Sequence, residues 1–254
     1  MRLNYILKFV VALSLSLSLL ACKEEKEEFA GELAEEYMPL EVGKYITYRI
    51  DSLVFIDFDQ TPVTRSYQVK HVVDAETTDN NGRKTFRIYR YINDANAAGD
   101  WTPNGTYFIT PTRTNIELVE DNLRFVKLQS PVREGFSWKG NSYLPLEPYS
   151  AFGHNFSNDD DMQNWEYYYQ PFESSVDING QTYENVFSVE VQYDFSNVPV
   201  MDPISYGYIN RINEKYSKGI GLVYRDYTMW EYQPSGAAPY YSGFGVTMWM
   251  IDHN

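Results

Sequence analysis

The segment Lys84-Thr85-Phe86-Arg87-Ile88-Tyr89-Arg90-Tyr91-Ile92 follows the turn Asp79-Asn80-Asn81-Gly82 and alternates along its length. Successive side chains of a strand point to opposite faces, so Phe86, Ile88 and Arg90 share one side of it. Asn-Gly accepts the positive φ of a tight hairpin turn, which ties this strand to the one before it. The same rhythm recurs over residues 45–55, 64–73, 101–110, 115–119 and 123–128. It returns over 174–179 and 182–193, on either side of a second Asn-Gly at Asn179-Gly180, and again over 204–216, 221–232 and 244–251. Residues 133–138 turn into a further strand. Aromatic residues make up 17% of the chain, which suits a pleated surface and fits a helical protein poorly. No apolar repeat of 3.6 residues runs for a convincing length, so the expected fold is mainly β and antiparallel, with meander-like hairpins. Residues 141–165 break the pattern with Pro, Gly, Asn and Asp and read as a long loop, with a short helix near residues 162–168.

The first residues follow a different logic. Arg2 and Lys8 precede the apolar run Phe9-Val10-Val11-Ala12-Leu13, which continues to Leu19-Leu20-Ala21-Cys22. The run is short for a membrane span and has the three-part form of a secretory signal. Its end resembles the lipobox of bacterial lipoproteins, in which the Cys is acylated and becomes the first residue of the mature chain. The expected organisation is a signal peptide over 1–21, an acidic flexible tether over 22–36, and a single β-rich domain over 37–254. Two or three acyl chains on Cys22 would hold the protein at a bilayer, where one chain binds only marginally.

Charge narrows the partners. The formal net charge is −14. Removing residues 1–21 takes away Arg2 and Lys8 and no acid, leaving about −16 on the mature chain. A field of that sign repels nucleic-acid phosphates and anionic headgroups, so no nucleic-acid partner is expected and membrane attachment falls to the lipid on Cys22. The lone Cys leaves no internal disulfide, so stability rests on the core.

No residue set carries a catalytic signature. G-x-S-x-G is missing, and His71, His154 and His253 are scattered without metal-ligand spacing. Asn158-Asp159-Asp160-Asp161 is dense in carboxylates but has neither the alternate spacing nor the glycine of a calcium loop. The expectation is therefore a non-enzymatic protein with no cofactor and no metal. The aromatic stretches are the better binding candidates. Trp165 with Tyr167, Tyr168 and Tyr169, and the set Trp230, Tyr232, Tyr240, Tyr241, Phe244 and Trp249, could form a stacking platform or an apolar groove, against the plainer reading that they pack a sheet. Three successive tyrosines cannot all face inward from a strand, so some of Tyr167 to Tyr169 should be exposed. Asp51-Ser52-Leu53 also resembles a short O-glycosylation acceptor of Bacteroidetes exported proteins, here within a strand.

Several segments resemble a group of uncharacterised Bacteroidetes outer-membrane lipoproteins. Lys23-Glu24-Glu25 after the lipidated Cys looks like their surface-export signal. Pro39-Leu40-Glu41-Val42-Gly43-Lys44-Tyr45-Ile46-Thr47-Tyr48 is similar to their opening "PL-x-x-G-x-x-W-x-Y" strand, with Ile46 in place of Trp. Glu134-Gly135-Phe136-Ser137-Trp138 resembles their "G-x-x-W", and the segment from Gly180 to Val186 resembles their "G-x-x-Y-x-N-V" hairpin. Tyr216-Ser217-Lys218-Gly219-Ile220-Gly221-Leu222-Val223 is similar to their "Y-x-K-G-I-G-L-V". The resemblance implies a curved antiparallel sheet, half-barrel or sandwich-like, with few short helices, and it carries over no activity. The leading expectation is an outer-membrane, surface-exposed protein that binds a glycan, an apolar ligand or an envelope protein. The alternative is a periplasm-facing carrier of a lipid or other apolar ligand.

Overall fold

The computed structural model describes residues 31–254 apart from Gln60, Phe156 and residues 235–237. Cys22, Lys23, Glu24 and Glu25, and the whole proposed signal peptide, lie outside the described residues. The strands are β1 (Tyr45–Ile56), β2 (Thr61–Thr78), β3 (Lys84–Asp94), β4 (Thr102–Pro111), β5 (Asn115–Glu120), β6 (Leu123–Gln129) and β7 (Ser137–Trp138). They continue as β8 (Tyr167–Tyr169), β9 (Glu173–Ile178), β10 (Gln181–Ser196), β11 (Gly207–Ser217), β12 (Gly221–Gln233) and β13 (Tyr240–His253). Helical structure among the described residues is confined to short 3-10 turns at Ala34–Tyr37, Ser150–Phe152 and Met162–Asn164.

All pairings are antiparallel, and the strands form one curved sheet in the order β6-β5-β4-β3-β2-β1-β13-β12-β11-β10-β8-β7, with β9 beside β10. Curvature brings the two ends of this path together. Val126 N–H in β6 donates to Gly140 O just after β7, at 2.8 Å. Trp138 Nε1 donates to Val126 O at 2.8 Å. Tyr169 completes the seam, because its hydroxyl accepts from Gln129 N at 3.0 Å and donates to Gln129 O at 2.9 Å. The sheet is a nearly closed barrel in which side chains satisfy edge groups that would otherwise be left open.

The interior is filled unevenly. On the side of β7, β8, β10 and β11, large side chains are buried against one another: Tyr167 and Tyr169 are each 1% exposed, and Val189 and Ile212 are fully buried. Trp138 lies against both Tyr167 and Tyr169, with ring centroids 5.6 and 4.7 Å away. The opposite side, from β1 to β6 with β12, β13 and Tyr216 of β11, surrounds a void that is partly open to solvent.

Three local expectations change. Residues 133–136 form a turn, and only Ser137–Trp138 is strand. The helix placed near 162–168 is a single 3-10 turn, after which Tyr167–Tyr169 joins the sheet. The tether expected to reach Glu36 is bound to the domain from Glu32 onward. Glu32 bridges Val132, Ala34 N donates to Ser130 Oγ at 2.9 Å, and Tyr37 is buried edge-on to Phe187. Composition pointed to a spacer because the stretch is acidic, but Ala34 and Tyr37 supply enough apolar surface to dock it.

Candidate functional site

The void has a volume of about 610 Å³ and is walled by alternate residues of many strands. β1 contributes Ile46, Tyr48, Ile50 and Ser52, and β2 contributes Tyr67, Val69, His71 and Val73. β3 adds Ile88, Arg90 and Ile92, as its alternation predicts, and β6 adds Leu123, Phe125 and Lys127. Phe244, Val246 and Met248 of β13 close the other side. Apart from Tyr45 at the start of β1, each set steps by two, because only every second side chain of a strand points inward.

β12 breaks that step, and the break matters. Lys215 of β11 pairs with Tyr224, yet Tyr216 pairs with Leu222, so Val223 is an extra residue on β12. This bulge shifts the phase of the strand, and Leu222 and Arg225 both face the void. Gly221, at φ +120°, begins the strand next to the bulge, a conformation that an L side chain rarely adopts.

A charged cluster sits on this wall. Glu214, 1% exposed, lies opposite Arg225 across the β11–β12 ladder. Its Oε1 accepts from Arg225 Nε and from Lys127 Nζ, both at 2.7 Å, and its Oε2 accepts from the Tyr216 hydroxyl at 2.7 Å. Burial alone would raise the Glu214 pKa, but Lys127 and Arg225 outweigh it and bring it down to about 2. Burial lowers the Lys127 pKa, with Glu214 opposing the shift and Arg225 adding to it. Burial also works against the Arg225 charge, but Glu214 prevails and the pKa is raised. Arg90 and Glu120 form a separate ion pair nearby.

His71 occupies the middle of the void's aromatic lining. Its ring meets Tyr48 and Tyr107 edge-on, and Nδ1 is 2.9 Å from the Tyr107 hydroxyl. Nε2 is buried and has no hydrogen-bond partner among the described residues. Burial, reinforced by Arg90 and Arg225, pushes the imidazole pKa down to about 3, so the ring is neutral.

The aromatic candidates fall elsewhere. Tyr167 and Tyr169 face the packed side of the barrel, with the Tyr167 hydroxyl donating to Asn141 Oδ1 at 2.7 Å. Tyr168 alternates outward, half-buried, and its hydroxyl donates to Glu190. Trp165 borders a separate, shallower recess of about 330 Å³ with Tyr206 and Tyr208, whose rings stack at 5.7 Å. Asp160 and Asp194 also line that recess, while Asp159 is buried. Trp230 and Tyr232 are packed in a small cluster with Phe55 and Tyr241. Of the aromatic set, Phe244 lines the void. Ser52 also lines it, on a strand paired with Arg65 on one side and Val246 on the other, so a glycan there would have to fit inside the barrel.

The site residues that sequence reasoning missed are Lys127, His71 and Arg225, which line the void, and Glu214, the buried carboxylate that holds two of them. Lys127 and His71 sit at inward positions of readable strands, where a polar residue among apolar ones was the available signal. Arg225 had none, since only the bulge turns it inward.

No family model and no curated protein matches the sequence. Among solved structures, a Bacteroides fragilis protein with a YmcC-like fold, assigned as exported, aligns over 85% of this chain and 97% of its own, at 10% identity and a TM-score of 0.42. A DUF1329 family protein from Desulfovibrio piger aligns over 87% of this chain and 88% of its own, at 12% identity and a TM-score of 0.21.

Proposed function

We propose that this chain is a lipid-anchored, non-catalytic protein of the outer membrane that holds an apolar ligand inside its barrel. The observation that carries the reading is the void itself. Protein interiors are close-packed, with few spaces larger than a water molecule. A volume of about 610 Å³ lies within the range of roughly 300–1,000 Å³ typical of small-molecule sites. Its wall is largely Ile, Leu, Val, Met, Phe and Tyr, which favours hydrocarbon over a sugar or a peptide. The cavity thus supports the carrier among the alternatives left by the sequence. Cys22 supports attachment to a membrane, and Lys23, Glu24 and Glu25 support the outer face.

A second reading, glycan binding at the surface, draws on the recess where Trp165, Tyr206 and Tyr208 meet Asp160 and Asp194.

The test uses the full-length protein in phosphatidylcholine vesicles with a photoactivatable acyl-chain probe. Labelled peptides should come from β3, β12 and β13, and Ile88→Trp, which fills the void, should reduce their labelling. Labelling confined to residues outside the barrel, unchanged by the substitution, would reject the carrier.

A further inference from the structure

The wall of the void holds more positive than negative charge. Lys127 and Arg225 share a single carboxylate, Glu214, on the same oxygen. Arg90 and Glu120 balance each other, and His71 and His154, the other histidine of the lining, are neutral because burial lowers both pKa values. At the rim, Lys44 and Asp121 contribute one charge of each sign. The interior therefore keeps one cation without a counterion, in a chain whose formal net charge is −14. An uncompensated charge is costly to remove from water, and an anion entering the void would offset that cost.

Arg225 is placed to receive it. Among the described residues, Nε is the one guanidinium nitrogen of Arg225 with a hydrogen-bond partner, Glu214. The side chain keeps 23% of its surface accessible, and the residue lines the void, which leaves the terminal nitrogens open to an occupant. A guanidinium presents paired N–H groups in a fixed fork that matches two oxygens of an oxyanion.

We propose, on the reading that the barrel holds an apolar ligand, that this ligand is an acyl-chain monoanion with its oxyanion head on Arg225. The hydrocarbon then lies against the apolar wall that includes Ile88, Ile92, Leu118 and Phe125. One net charge matches one excess cation. A neutral alcohol or ester of the same chain would bury its chain equally well but leave the guanidinium unmatched.

The experiment compares photoactivatable palmitic acid with photoactivatable hexadecanol, using the full-length protein in phosphatidylcholine vesicles at mildly alkaline pH, high enough to ionise the acid and not so high that Lys127 loses its proton. The acid should label the interior strands about tenfold more than the alcohol, the effect of one charged hydrogen-bonded contact. Arg225→Gln should bring the acid down to the level of the alcohol. Glu120→Gln, which frees Arg90 and adds to the excess charge, should raise acid labelling and leave the alcohol unchanged. This second variant decides the matter if Arg225→Gln fails to fold. Equal labelling by acid and alcohol, unmoved by Glu120→Gln, would overturn the anionic head while leaving an apolar carrier standing. Failure of both probes to label the interior would remove the carrier reading itself. Unlabelled palmitate and phosphatidylglycerol serve as competitors: displacement by one identifies a carboxylate or a phosphodiester head, and displacement by neither overturns the proposal.

Discussion

Glu214 and Arg225 face each other directly across the β11–β12 ladder, joined by a 2.7 Å hydrogen bond from Nε to Oε1. The same oxygen binds Lys127, so one carboxylate links three strands: β6 at the seam of the barrel, β11 and β12. Removing a single member of a buried ion cluster leaves the others uncompensated. Glu214→Gln should therefore destabilise the domain by about 3–5 kcal/mol, as measured by urea denaturation. Lys127→Met should cost less, because Arg225 still satisfies the carboxylate and the excess interior charge is relieved. An equal loss in the two variants would mean that Glu214 is not the hub.

The seam gives a second expectation. Tyr169 uses one hydroxyl to satisfy both the N–H and the C=O of Gln129, and Trp138 Nε1 satisfies Val126 O. Leaving buried backbone groups unpaired costs about 1–3 kcal/mol, so Tyr169→Phe should lower stability by that amount with no loss of packing volume. Amide exchange separates this from a general loosening. The Gln129 amide should exchange faster in the variant while amides of β1 and β13, far along the sheet, keep their protection relative to the reduced global stability. Uniform acceleration everywhere would show that the seam does not open independently.

Much of this architecture was legible because alternation is a strong signal. Phe86, Ile88 and Arg90 read as one face, and Ile88 and Arg90 line the void while Phe86 is buried beside it. The Asn-Gly pairs at 81–82 and 179–180 marked two hairpins, and both glycines have positive φ. What could not be read was parity across a bulge. Counting in steps of two from Leu222 places Tyr224 inward and Arg225 outward, and the extra residue Val223 reverses this. The seam was equally hidden, since nothing local to residues 126 and 138 says that the ends of a long sheet meet. Tyr167 to Tyr169 illustrate the limit of a correct rule: Tyr168 does alternate outward, but Glu190 engages its hydroxyl.

His71 supplies a pH dependence whose sign follows from its surroundings. Its folded pKa of about 3 lies well below the ordinary value of 6.5, because burial and two arginines disfavour the imidazolium. Between those values the unfolded chain binds a proton that the folded chain does not. The stabilising contribution is therefore complete above pH 6.5 and is lost as pH falls toward 3, at about 1.4 kcal/mol per pH unit. Asp159 acts in the opposite sense, since burial raises its pKa to about 6 and its cost is relieved on acidification. His71→Gln isolates the first effect, because Asp159 is common to both proteins and glutamine can still bond the Tyr107 hydroxyl. The difference in unfolding free energy between wild type and His71→Gln should be constant from pH 7 to 8 and shift steadily in favour of the variant below about pH 6. A difference that stays flat down to pH 4 would mean that His71 gains access to water or a counter-charge when protonated, and that the aromatic lining of the void opens under acid.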